Sequence, residues 1–422
     1  MIASGLNLLR YPRLSAATTA AARSWRRRIS THRGKAIFVA ATEEHTGKTS
    51  VSMALLAGLV RRYGPQRVSY MKPVGQKHVL VKGKDKEDIK VDKDVAVAKE
   101  HFDLQAPYSA MSPVVLYQGY TRHFLDGKID PQQQAQVIVD GFEELITKND
   151  FVVVEGTGHT GVGSIVDMNN ADVANLLGLE VMLVGNGGLG STYDTLMLNR
   201  TMCSAKGVRV RGVLLNKVKP EKIDMVRTYI GKALVVNSWD APILGLVPWS
   251  ESLDQPSVLD LELMFETTAM AGRDHLLRRF NKFELVTTSL QRLLDKLDNG
   301  EIQESSTCFV THASRSDIIL GLLTHPQVTD KIPMEAGLIL TGTPPRNTPL
   351  SFVGDIISCS KIPVLSVGMS TSKTMKKLEG FKIKMSVKDH LRTRNVIEHY
   401  EPFIDIDALI ACASVPPRTL GW

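Results

Sequence analysis

Beyond residue 35 the chain alternates short apolar runs with segments of helical spacing. Ala36–Ala41 has the pattern of a buried strand, and Val68–Met71, Phe151–Val154, Val181–Val184, Val210–Leu215 and Ile243–Leu246 repeat it. After the first run, Val51, Leu55, Leu56, Leu59 and Val60 recur at helical spacing until Gly64 and Pro65 stop them. Runs that are apolar throughout suit strands buried on both faces. Their alternation with helices predicts a parallel sheet covered by helices. A second unit follows a helical stretch marked by Val286, Leu290, Leu293, Leu294 and Leu297 and ended by Asn299 and Gly300. Cys308–Thr311, Gly337–Thr341 and Val364–Val367 then read as strands, with Ile318–Leu323 helical between them. The expected division is a leader at 1–30, a first domain at 34–255, a helical connector at 256–302 and a smaller α/β domain at 303–415.

Composition narrows the class. With 422 residues, 43% hydrophobic and 23% charged, the chain can bury two or three cores. No apolar run approaches the roughly 20 residues of a membrane-spanning helix. Four scattered cysteines (Cys203, Cys308, Cys359, Cys412) give neither a disulfide framework nor a C-x-x-C metal pair. The net charge of +7 is concentrated at the start. Residues 1–30 hold Arg10, Arg13, Arg23, Arg26, Arg27 and Arg28, and no acidic residue precedes Glu43. The remainder is nearly neutral, so no nucleic-acid partner is expected. An Arg-rich, Ser-rich, acid-free leader has transit-peptide composition. Mitochondrial import is expected, with plastids as runner-up.

The first strand runs into Thr42, Glu43, Glu44, His45, Thr46, Gly47, Lys48, Thr49 and Ser50. Gly-Lys-Thr between a strand and a helix is the heart of a phosphate loop. Backbone N–H groups surround the phosphates, Lys48 reaches the terminal oxygens, and the Thr49 hydroxyl ligates Mg²⁺. Glu155 closes the run Phe151–Val154 and is placed at a strand end as a Mg²⁺ ligand or water-orienting group. Gly156–Ser164 holds four glycines and suits a mobile loop over a substrate, with His159 as a substrate contact.

These residues resemble a known family. Ala40–Thr49 is similar to the long phosphate loop of dethiobiotin synthetases and cobyrinic acid a,c-diamide synthases. Lys72-Pro73-Val74 resembles that family's K-P-V motif, Val154–Gly158 its V-E-G-A-G, Leu183–Ser191 its G-x-L-G loop and Gly212–Val218 its G-V-x-x-N-x-V. The resemblance implies a P-loop NTPase-type parallel sheet with helices on both faces and ATP and Mg²⁺ as cofactors. It implies Glu43, Glu44, His45, Thr46, Gly47, Lys48, Thr49, Ser50 and Asn216 as nucleotide contacts, Asn216 reading the adenine edge. A turn-capping role for Asn216 stays open. The implied metal ligands are Thr49, Asp94 and Glu155, and the implied catalytic set is Lys48, Lys72 and Glu155.

Phe309–Asp317 and Ala336–Gly342 resemble the DRTGG domain. A P-loop unit followed by that domain is similar to the N-terminal half of long phosphate acetyltransferases. Because no acetyltransferase domain follows in this chain, acetyl transfer to phosphate is not expected. Glutamine amidotransfer is not expected either, since no cysteine sits in a nucleophile elbow. Two classes remain open. One is an ATPase or ATP-dependent ligase-type enzyme activating a small carboxylate or amine. The other is a nucleotide-sensing regulatory or assembly protein. The expected partners are a small-molecule substrate, a second copy of the chain and a regulated protein.

Overall fold

The structure, a computed structural model, describes residues 33–83, 87–328, 335–342 and 352–417. The leader expected at residues 1–30 lies outside them. The first sheet holds β1 (Lys35–Ala41), β2 (Val68–Met71), β5 (Phe151–Glu155), β6 (Val181–Asn186), β7 (Val210–Val218) and β8 (Ile243–Pro248), after a peripheral hairpin of β3 (His78–Lys82) and β4 (Asp88–Asp92). Its order is β8-β7-β6-β1-β5-β2 and every pairing is parallel. β1 sits where the order reverses direction, the place where open α/β sheets build ligand crevices. Phe151, Val152, Val153 and Val154 are fully buried, as a strand covered on both faces requires. Each such side chain contributes about 1.5–3 kcal/mol on burial.

Helix α1 (Lys48–Tyr63) follows the phosphate loop and buries Val51, Leu55, Leu56 and Leu59. It ends at Gly64, whose φ of 84° suits a residue without Cβ. α2 (Lys93–Phe102) starts at Asp92, whose carboxylate accepts from the Asp94 amide. The β3–β4 hairpin was not expected. The polar stretch around it hides an alternation of Val79 and Val81 against Ile89 and Val91, paired antiparallel. Asp88 is exposed on the hairpin.

The second sheet holds β9 (Ala269–Ala271), β10 (Lys282–Leu285), β11 (Thr307–His312), β12 (Gly337–Thr341) and β13 (Val364–Val367), in the order β9-β13-β12-β11-β10. Only β9 pairs antiparallel. This arrangement corrects the expected boundaries in two places. Residues 256–302 are not a helical connector: β9 and β10 are edge strands of the second sheet, and α3 (Val258–Phe265) packs into its core. Residues from about 381 onward do not belong to the second domain either. Helices α4 (His390–Tyr400) and α5 (Ile406–Cys412) return to the first domain, where Val396, Ile397, Tyr400 and Leu409 join its core. Ser414 exchanges backbone hydrogen bonds with Ala36 at 2.8 and 3.2 Å. The Arg61–Glu401 and Arg62–Asp407 pairs add little at this exposed surface. Residues 390–414 thus close the first domain, while Arg392 on α4 binds Asp260 on α3 and Asp389, tying it to the second.

Candidate functional site

The phosphate loop is shaped by glycine. Gly47 has φ of 93°, and a Cβ there would lie 2.4 Å from Asn216 Nδ2. It caps α1 without a side-chain hydrogen bond, so the helix's first N–H groups are left for an anion. The loop is braced from behind. Thr46 Oγ1 donates to the Glu43 carbonyl at 2.7 Å, Lys217 Nζ to the His45 carbonyl at 3.2 Å, and Asn216 Nδ2 to the Thr46 carbonyl at 2.7 Å. Lys48 donates to the Gly158 carbonyl. Burial lowers its pKa, partly offset by Glu155 and reinforced by Lys72.

Beside the loop lies a buried ionic cluster. Lys72 Nζ bonds Asp94 and stands 3.5 Å from both Glu155 and Asp92. All four residues are buried. Burial opposes the charge on Lys72, but Asp94, Glu155 and Asp92 outweigh it and hold the ammonium well above its ordinary range. Burial likewise opposes the charge on Asp94, and Lys72 and Lys93 overcome it, holding that carboxyl well below the usual range. Asp92 goes the other way: burial raises it despite Lys72, with the neighbouring Asp94 adding to the rise. Asp92 positions the rest, accepting from the amides of Asp94 at 2.9 Å and Gln76 at 3.2 Å.

The Thr49 hydroxyl donates to Glu155 Oε1 at 3.0 Å and lies 3.3 Å from Asp94 Oδ2. The structure therefore brings the three expected metal ligands together, with Lys72 bonded to both carboxylates. Hard oxygen donors of this kind suit Mg²⁺. Among the described residues no group of three His, Cys, Asp or Glu side chains is spaced as a cage.

The other expected contacts divide. Glu44, His45, Gly47, Lys48, Thr49 and Ser50 line a cavity of about 460 Å³ that also opens on Lys72, Asp94 and Glu155. Glu43, Thr46 and Asn216 are not among its lining residues. Glu43 accepts from Asn186 Nδ2 at 3.2 Å, and Thr46 is fully buried. The adenine-reading role for Asn216 does not fit. Its side chain has no exposed surface; Nδ2 serves Thr46 and the Tyr400 hydroxyl at 3.0 Å, and Oδ1 accepts from the Lys217 amide at 2.8 Å. It braces the loop instead, closer to the capping alternative.

The glycine-rich segment after Glu155 is not a free lid. Asn170 grips it, accepting from Thr157 N at 2.9 Å and donating to the carbonyls of Thr157 at 2.9 Å and His159 at 2.8 Å. His159 is exposed and not among the residues lining the cavity, so it is not a substrate contact there. In the second domain Arg315 and Asp317 form a paired salt bridge at 2.8 Å.

Three contributions escaped the sequence reading. Tyr70 donates to Glu155 Oε2 at 2.8 Å; a tyrosine within a fully buried strand implies such a partner for its hydroxyl. Tyr400 reaches Ser50 as well as Asn216. Residues Lys382–Met385 line the cavity from the far end of the chain, which no local pattern could have announced.

A phosphate acetyltransferase of Synechocystis sp. is 23% identical over 380 residues, covering 89% of this chain and 51% of that protein. The ATP-dependent dethiobiotin synthetase BioD of Anaeromyxobacter sp. is 28% identical over 219 residues, covering 52% of this chain and 92% of that protein. The solved MinD cell division protein of Aquifex aeolicus is 12% identical with a TM-score of 0.32, covering 52% of this chain and 84% of that one. The chain spans about half the length of the phosphate acetyltransferases it matches. The expectation that set it apart from phosphate acetyltransferases is therefore corrected: proteins of that name, at 22–24% identity, align with about nine-tenths of it. Where this chain stops is no ground for separating it from them. Among the described residues no helix is long and apolar enough to cross a membrane. Residues 35–257, more than half of the chain and containing the phosphate loop, Lys72, Asp94 and Glu155, match the family described as AAA domain, and the chain belongs to that family.

Proposed function

We propose that the chain is a Mg-ATP-binding regulatory module that passes the occupancy of its phosphate-loop cavity to its second domain, in the setting of a phosphate acetyltransferase-type protein. The observation that carries this reading is the return of the chain's end. Lys382, Lys384, Arg392 and Tyr400 line the same cavity as Lys48 and Thr49, and Arg392 also binds Asp260 at the start of the second domain. Lys48, which donates to the Gly158 carbonyl, would hold a nucleotide's phosphates in the cavity that this returning segment also lines. Any change there is felt by α3 through a buried ion pair, which cannot slacken without leaving a charge uncompensated. The relatives' names support the ATP and acetyl-phosphate setting, and the second domain's resemblance to DRTGG domains supports a sensing role. The arginine-rich residues 1–30 support a mitochondrial site of action.

Hydrogen exchange of the full chain with and without Mg-ATP tests the reading. It predicts slower exchange at the phosphate loop, at 382–400 and at 258–265 together. Protection confined to the phosphate loop overturns it.

A further inference from the structure

One wall of the cavity carries lysine charges that the nucleotide reading does not use. Lys77 follows Lys72-Pro73-Val74, and Lys382 and Lys384 belong to the returning segment; all three line the same cavity as the phosphate loop. The carboxylates of the ionic cluster are already engaged: Asp94 by Lys72 and Lys93, Glu155 by Lys72 and Tyr70, Asp92 by two backbone amides. Among the described residues no carboxylate forms a salt bridge with Lys77, Lys382 or Lys384. The wall is nevertheless held in place. Lys93 Nζ donates to the Met385 carbonyl at 3.2 Å, its amide donates to the Lys77 carbonyl at 2.8 Å, and the Met385 side chain is buried in the first domain's core. Through Lys93 these contacts bring the Lys77 and Met385 backbones together on that wall. Burial, then Lys77, then Lys93 bring the Lys384 ammonium down to about 8. Like charges fixed together on a cavity wall repel, and an oxyanion between them relieves both that repulsion and the loss of solvation.

We propose that Lys77, Lys382 and Lys384 form an anion subsite in the phosphate-loop cavity, which takes a tetrahedral phosphate group by charge-assisted hydrogen bonds. That group is either the terminal phosphate of the nucleotide or a separate phosphate bound beside it. The inference deepens the reading of the cavity as a nucleotide site but is tested apart from it.

The test is calorimetry on the full chain with inorganic phosphate, before and after saturation with Mg-AMPPNP. The same titrations are run on Lys77→Ala and Lys384→Ala, and on Lys219→Ala, a lysine outside the cavity, as control. A separate phosphate predicts that phosphate binds the AMPPNP-saturated protein and that both cavity variants weaken it about tenfold or more, the scale of one charge-assisted contact. A nucleotide phosphate predicts no phosphate binding after saturation, with AMPPNP itself weakened by the same factor in both variants. Either result, with Lys219→Ala unchanged and Lys384→Arg restoring affinity, supports the subsite. If neither ligand is weakened, or Lys219→Ala weakens them equally, the subsite is refuted. Should the wild type bind no AMPPNP, the nucleotide reading fails. Phosphate binding to the Lys48→Ala protein, with and without Lys384→Ala, then still decides the subsite. Both cavity lysines lie at least partly at the surface, and circular dichroism of each variant confirms that the fold survives.

Discussion

Replacing Lys72 by methionine removes the ammonium that bonds Asp94 and lies beside Glu155 and Asp92, and keeps most of the side chain's volume. All four groups are buried, so the variant takes the ammonium from Glu155 and Asp92 and leaves Asp94 with Lys93 alone. Breaking a buried pair in this way costs about 3–5 kcal/mol. A domain of this size loses about 2–4 °C of Tm per kcal/mol, so the phosphate-loop domain should melt about 6–20 °C lower near neutral pH. The sign of the pH dependence follows from the shifts. Lys72 is raised above its ordinary 10.5, so its contribution is fully present below that value and is lost only as pH rises through the raised one. Asp94 is lowered, so its contribution is present above its ordinary 3.8 and is lost as pH falls through the lowered one. Between about pH 5 and 7.5 Lys72 and Asp94 therefore contribute a nearly constant amount. Without Lys72, burial pushes the carboxyls up, and the folded variant binds protons that its unfolded chain does not. Its stability then rises as pH falls, and the Tm gap narrows at about pH 5. Scanning calorimetry of both proteins at the two pH values is the assay. A variant within about 2 °C of wild type near neutral pH, or a gap unchanged in acid, refutes the argument.

Gly47→Ala places a Cβ 2.4 Å from Asn216 Nδ2 at φ of 93°, and should cost about 1–3 kcal/mol, with Mg-ATP binding weakened in calorimetry alongside a lowered Tm. Deleting residues 1–30 should abolish mitochondrial import of a tagged protein in fractionated cells; import of the truncated form contradicts the leader reading.

The sheet was legible because strands buried on both faces are apolar throughout, as Phe151–Val154 shows. The hairpin at 78–92 was not, because only its alternate residues are shielded and lysines and aspartates dominate its composition. The metal-side residues Thr49, Asp94 and Glu155 could be named from motifs, and the structure does converge them. Asn216 was misjudged because a strand-end amide can face a ligand or turn back to its own loop. Deciding between them needed Gly47's missing Cβ and the Tyr400 hydroxyl, 184 residues away. The same distance in sequence hid the return of 381–417: Lys382 and Lys384 look like a solvated stretch until Met385 and Tyr400 are seen to be buried in the first domain.

The claim on which the rest depends is that the cavity beside Gly47 binds Mg-ATP through Lys48. Calorimetric titration of Mg-ATP into the wild type and Lys48→Ala measures it. Removing one charge-assisted phosphate contact costs about 2–3 kcal/mol, and tenfold per 1.4 kcal/mol makes that a loss of about 30- to 150-fold in affinity. Equal affinities, or no binding by the wild type, would contradict the account.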